Sequence, residues 1–286
     1  MTMTPERARG LLGSRIARNK AGDAAFSAAI YSLAALMIVP LLLILGYVAV
    51  KGIPQLSWAL VATDERHGGI LNAILGSLYT SCIALAVAAP LGVLCGVWLS
   101  ENPDGGAAQA VRTSVDVISG LPSIVVGIIA YFILVLPFRH FSALSGAAAL
   151  AVMMLPGIIK NSEENLRLVP RELKEGAYAL GAPRSVVLLQ IVLPAASGGV
   201  VSGVLLSFAR ALGETAPLLF TAFGSRDMTF NPSSPMEALP PLIFKYATSP
   251  SDDLVNKSWA AAFLLTAAVL AINLVTRAVI AKGKNP

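Results

Sequence analysis

Charge is what this sequence has least of. Only 13% of its 286 residues are Asp, Glu, Lys or Arg, against about 25% in an average soluble domain. A soluble fold of this length would have far more polar surface to cover, and with 56% hydrophobic residues the chain reads as a polytopic membrane protein. Cysteine and histidine are equally scarce. Cys82 and Cys95 fall in one apolar stretch and read as small packing residues, not as a disulfide or a metal pair. His67 and His140 lie in separate loops, so no metal-ligand spacing exists and no metal site is expected. There is no G-x-x-x-x-G-K-[ST], which excludes ATP binding through a P-loop. No nucleophile, base and oxyanion set occurs either, so no catalytic residues are assigned. A convincing internal repeat is also missing, which weighs against inverted-repeat secondary transporters.

What is present is a series of long apolar runs. A basic tail, residues 1–23, carries Arg7, Arg9, Arg15, Arg18 and Lys20. It is short, lacks aromatic partners and abuts an apolar run, so nucleic acid is not the expected partner; the lipid bilayer is. The first run, about 24–50, exceeds the roughly 7–15 residues of a signal-peptide core and reads as an uncleaved span. Further spans are expected at about 70–100, 119–136, 143–159, 195–223 and 258–280. Pro90 predicts a kink in the second. The predicted fold is all-α with six transmembrane helices: a transmembrane domain over 24–281 between the basic tail and a short C-terminal tail, 282–286. Counting Lys and Arg outside the spans, together with Arg277 at the end of the last one, gives fourteen on the side of the two termini and six on the other. That bias places both termini, and the segment 160–194, in the cytoplasm.

That segment is the charged part of an otherwise apolar chain. Pro170 suits the first turn of a helix, and Glu172 and Glu175 suit its early turns. Leu173, Ala177 and Leu180 fall at i, i+4 and i+7 and predict one apolar stripe. Gly181 suits a left-handed stop, and Pro183 can start a second helix. Glu175, Ala177, Gly181, Ile191, Leu193 and Pro194 together keep a fixed pattern: Glu-x-Ala, Gly six after the Glu, Ile ten after the Gly, then Leu-Pro. An amphipathic helix on the membrane surface accounts for the composition but not for that spacing. The pattern resembles the EAA loop of ABC-importer permeases. The one departure is Gly176, where the family usually has Ala; Gly weakens a helix by about 1 kcal/mol. The resemblance implies a type I (MetI-like) permease fold whose coupling helix sits in a groove of an ATPase subunit.

Arg210 and Glu214 stand inside the fifth expected span at i, i+4, so on one helix they share a face. Each costs about 2.5–3.5 kcal/mol at a helix centre, so they should face a cavity or each other. They read either as a structural ion pair or as part of a path for a charged solute. The surrounding FARALGETAPLLF, together with GLPSIVVGIIAY (120–131) and GGILNAILGS (68–77), resembles the phosphate-specific importer permeases of the PstA type over most of residues 68–220. The resemblance implies a translocation subunit for inorganic phosphate in a bacterial inner membrane. Arg210 would meet the oxyanion, since guanidinium offers a fork of donors matched to its oxygens, and Glu214 would hold it or form part of a gate. Arg167 lies at the inner mouth or is an ordinary surface charge. Ser123 and Thr215 either donate into the pore or bond their own helix backbone. The implied partners are a second, PstC-like permease, two PstB-like ATPase subunits carrying ATP and Mg, and an external PstS-like phosphate-binding protein; this chain itself would hold no cofactor. Sulfate or molybdate would fit the same loop, and an intramembrane enzyme using Arg210 and Glu214 is the alternative from another class.

Overall fold

The computed structural model describes residues 5–283. The ends of the expected tails, 1–4 and 284–286, lie outside them. Among the described residues the chain is helical, with a single isolated bridge between Phe223 and Met236 and no strand. It divides into two units, Met1–Val50 and Lys51–Pro286.

The first unit is occupied by one helix, α1 (Pro5–Gly52), which contains Pro40 and begins within the expected basic tail. Its stretch from Phe26 onward is long and apolar enough to cross a membrane, with Leu36, Met37 and Leu43 exposed, as lipid-facing side chains are.

In the second unit, α2 (Leu71–Glu101) runs unbroken through Pro90, and Ser142 caps α5 (Ala143–Arg167) by accepting from the Ser145 amide at 3.1 Å. Between them come α3 (Gly106–Gly120) and α4 (Ser123–Phe138), bent by 102°. The expected single third span is therefore a broken pair. Leu121 and Pro122 are extended, and the residue before a proline is driven out of helical conformation. Counting the pair as one crossing gives six spans; without it there are five. The fourth helix also extends past the expected Ile159 to Arg167, because nothing in KNSEENLR breaks a helix until Pro170. It is followed by α6 (Arg171–Ala179) and α7 (Arg184–Leu212). The expected fifth span stops at Leu212, and α8 (Ala216–Thr221) is a separate turn. Pro217 supplies no N–H to the Gly213 carbonyl and its ring crowds it, and Gly213 itself weakens a helix; where Pro90 stands inside an unbroken helix, here the two together coincide with its end. The second unit ends with α9 (Leu239–Ala247) and α10 (Asp252–Gly283).

The core is built from small residues that let α2 and α5 approach closely. A Cβ on Gly96 would come within 2.5 Å of the Ser162 Cβ and 3.0 Å of the Glu163 amide. Glycine at this position serves close packing. Gly96→Leu is expected to cost about 1–3 kcal/mol, as overpacking does. Thermal unfolding of the detergent-solubilised chain checks this, with Gly46→Leu, which has open space around it, as the silent control.

At the end opposite α6, a second polar cluster ties the loops together. Lys245 reaches Glu65 (3.0 Å) and Glu237 (3.4 Å), both nearly buried, and Arg226 lies 3.4 Å from Glu65. Burial pushes the Glu237 carboxyl above its ordinary 4.5, with Lys245 opposing. The stability that comes from holding this group protonated is full below about 4.5 and is lost as pH rises through the raised folded value. Glu237→Gln removes that dependence, so its melting temperature should fall less than wild type's as pH rises from 4.5 to 7.

Candidate translocation site and coupling end

The break after Leu212 sets the first site. Arg210 is in the last turn of α7, and Glu214 sits beyond it in the break, its amide donating to the Ala211 carbonyl at 3.1 Å. The two are thus not on one helix face, as the i, i+4 spacing suggested. The break still leaves Arg210 Nε within 3.7 Å of Glu214 Oε1. That separation is an ion pair and not a hydrogen bond. The carboxylate neutralises and steers the guanidinium without occupying its donors. Arg210 is 69% exposed and Glu214 17%.

Both line a cavity of about 400 Å³ between α3, α5, α7 and α10. Its other polar walls are Ser119, Lys160, Asn161, Ser207 and Asn273. Lys160 is the second cation and is held by Asp116 of α3 at 2.7 Å. A larger cavity of about 900 Å³ shares Asn161, Leu206 and Asn273 with the first and adds Asn165, Ser202, Thr276 and Arg277. Polar side chains thus continue from Arg210 toward the end that carries α6. The spacing of Asn161 and Asn165 (i, i+4) was visible in the sequence as a polar face on α5. Lys160 and Asn273 join it only through tertiary packing.

The remaining pathway candidates are placed elsewhere. Ser123 opens α4 and Thr215 precedes α8, and neither lines these two cavities. Arg167 Nη2 lies 2.7 Å from Glu163 Oε1, which also accepts from Arg112 Nε at 2.8 Å. Glu163 is only 8% exposed, and no local pattern in the sequence singles it out. Two arginines compensate its burial.

At the α6 end, the residues of the Glu-Ala-Gly-Ile-Leu-Pro pattern differ in what they contribute to the local structure. Ala177 is buried against Leu166, Val169, Val187 and Val192, and Ile191 and Leu193 pack on the same cluster. Gly181 has φ +77° with open space around it, so it is needed for its backbone conformation alone. The Gly181 and Ala182 amides close the turn by donating to the Tyr178 and Ala177 carbonyls (2.9 and 3.1 Å). Pro194 is exposed and follows a π-helical stretch, Val187–Val192, that relieves the contact a proline would make in an α-helix. Glu175 is exposed and forms no ion pair among the described residues. The expected single stripe is split. Ala177 points inward, whereas Leu180 lies past the last helical residue and is 90% exposed, and Leu173 is exposed as well.

The family described as binding-protein-dependent transport system inner membrane component matches residues 88–282. The phosphate transport system permease protein PstA of Haemophilus influenzae is 40% identical over 79% of this chain and 82% of its own length. The protein of the same name from Yersinia pestis is 38% identical over 86% and 85%. This chain belongs to the PstA family of binding-protein-dependent transport permeases. It is a multi-pass inner-membrane component of such a transport system. The relation reaches beyond bacteria: the probable PstA of Methanocaldococcus jannaschii is 35% identical over 87% of this permease and 90% of its own length. The permease fold is likewise that of solved ABC importers. An inward-facing methionine transporter, MetNI, aligns with a TM-score of 0.59 at 18% identity over 80% of this chain and 97% of the other, and a second crystal form gives 0.54 at 17% over 74% and 94%.

Proposed function

We propose that this permease moves inorganic phosphate across the inner membrane, as the translocation subunit of an ATP-driven importer. The observation that carries the proposal is Arg210. Its guanidinium lines a cavity that also carries Lys160, Asn161 and Asn273, is steered by Glu214 at 3.7 Å, and makes no hydrogen bond among the described residues. An oxyanion entering there would find a bidentate fork on one wall and Lys160 on another. Glu214 repels the same anion. It sets the position of Arg210 without closing the fork and limits how tightly the anion is held, as passage requires.

Energy would enter at the other end. Glu175 and Leu173 on α6, and Leu180 just after it, are exposed charged and apolar groups suited to a groove on an ATPase subunit. In this reading ATP and Mg reside on two such subunits. A second permease faces this one across the pathway, and an external phosphate-binding protein delivers the anion. The distribution of Lys and Arg supports cytoplasmic termini and a cytoplasmic α6. Closure of the ATPase pair would draw the two α6 helices together and switch the cavity between the two sides.

Labelled-phosphate uptake at low external phosphate tests the reading, in cells lacking this chain and any backup importer and in the same cells with it restored. Loss and rescue of uptake is expected. Unchanged phosphate uptake, with sulfate or molybdate uptake lost instead, would overturn the choice of anion.

A further inference from the structure

The α6 helix has little hold on the rest of the chain. Of its nine residues only Ala177 is buried. Among the described residues, its one ion pair to the rest of the chain goes to a single carboxylate. Glu101, the last residue of α2, is 13% exposed at its side chain. Its Oε1 accepts from Lys174 Nζ at 2.8 Å and its Oε2 lies 3.3 Å from Arg184 Nη2. Lys174 is on α6, next to Glu175, and Arg184 opens α7 on the far side of the Gly181 turn. A single acid thus takes one cation from each helix that flanks the turn.

The same end of α2 is grasped from the other direction. Arg112 of α3 donates to the carbonyls of Leu99 (2.9 Å), Asn102 (3.1 Å) and Pro103 (2.8 Å), and its Nε to Glu163 of α5. One turn beyond Arg112, the same α3 carries Asp116, which holds Lys160 at the cavity, and then Ser119 in the cavity wall. A chain of charged contacts therefore runs from α6 through Glu101 to the end of α2, then through Arg112 to α3 and the cavity. Each contact lies within 3.3 Å. The covalent route through Leu168–Pro170 enters α5, which Glu163 and Lys160 tie to the same α3, but it joins α6 at the end away from the Gly181 turn.

We infer that Glu101 is a positioning residue for energy coupling: it clamps the Gly181 turn to α2, so that a displacement of α6 is passed to α2 and α3 and not absorbed by the turn. This rests on the reading of α6 as the ATPase-contacting helix. The test uses the complete complex, reconstituted in proteoliposomes with its ATPase subunits and binding protein. Phosphate moved per ATP hydrolysed is measured together with basal hydrolysis. For Glu101→Gln, assembly and basal hydrolysis should be retained while the ratio falls about tenfold, within the range of coupling between linked sites. Lys174→Gln and Arg184→Gln each remove one contact from a partner that is not deeply buried, and each should give a smaller fall, which keeps the test valid if Glu101→Gln fails to assemble. Glu101→Lys should abolish coupling, and adding Lys174→Glu should restore much of it, an effect that a merely structural role would not produce. A wild-type ratio in Glu101→Gln, or no recovery in the charge-swapped pair, overturns the inference. Failure of the unaltered chain to associate with an ATPase subunit would instead sink the reading of α6.

Discussion

Arg210→Gln is expected to reduce phosphate uptake at least a hundredfold with the complex still assembled at normal levels in the membrane. Hydrogen bonds to charged groups contribute about 1.5–3 kcal/mol each, so losing a two-pronged contact to the anion removes a hundredfold or more. The cost to folding is small by comparison, because Arg210 is 69% exposed and its one ion pair, to Glu214, is loose at 3.7 Å. Arg210→Lys keeps the charge and loses the fork, so it should recover part of the activity. Initial rates of labelled-phosphate uptake, normalised to the amount of chain in the membrane, check both variants. A nearly active Arg210→Gln would mean that the Arg210–Glu214 pair serves packing alone.

Glu175→Lys is the second large effect. Glu175 is exposed and has no ion-pair partner among the described residues, so reversing its charge has little to disturb within the chain. Any loss of transport must then come from what docks there. Truncating one side of a charged interface pair typically costs about 2–5 kcal/mol, which would lower uptake tenfold or more at an unchanged melting temperature. Gly181→Val acts at the same end by a different cause. It forces a branched side chain into a left-handed conformation at about 1–3 kcal/mol, and it should lower stability and uptake together. Uptake by membranes of matched permease content, beside thermal unfolding of each variant, separates the two. Full activity in Glu175→Lys would remove α6 from the coupling path.

How much of this was legible in the sequence depended on whether the signal was local. The Glu-Ala-Gly-Ile-Leu-Pro spacing is local, and the turn at Gly181 and the helix start after Pro183 follow from it. Arg210 and Glu214 announced themselves because a charge in an apolar run is costly. Their true arrangement was hidden by reading 195–223 as one helix; Gly213 and Pro217, four residues apart, were the local signal for a break, though Pro90 shows that a proline alone does not impose one. The same oversight made Leu121-Pro122 the opening of a straight span where the chain turns by 102°. Lys160 looked like the first charge after a span, because helix α5 was ended at Ile159 and not at Arg167. The cavity partners Ser119, Asn161 and Asn273 lie on α3, α5 and α10. No periodicity within one segment reports a meeting of three helices. Glu163 was missed for the same reason: besides the local Arg167, its burial rests on Arg112, which is distant in sequence and folds onto it.

The most direct test of the account is phosphate accumulation by proteoliposomes that hold this permease with its partner permease, ATPase subunits and binding protein, with ATP supplied on the side of α6. The account predicts ATP-dependent accumulation of labelled phosphate that disappears in Arg210→Gln and is not reduced by a hundredfold excess of sulfate or molybdate. Accumulation that persists in Arg210→Gln, or that sulfate suppresses as well as unlabelled phosphate does, would contradict it.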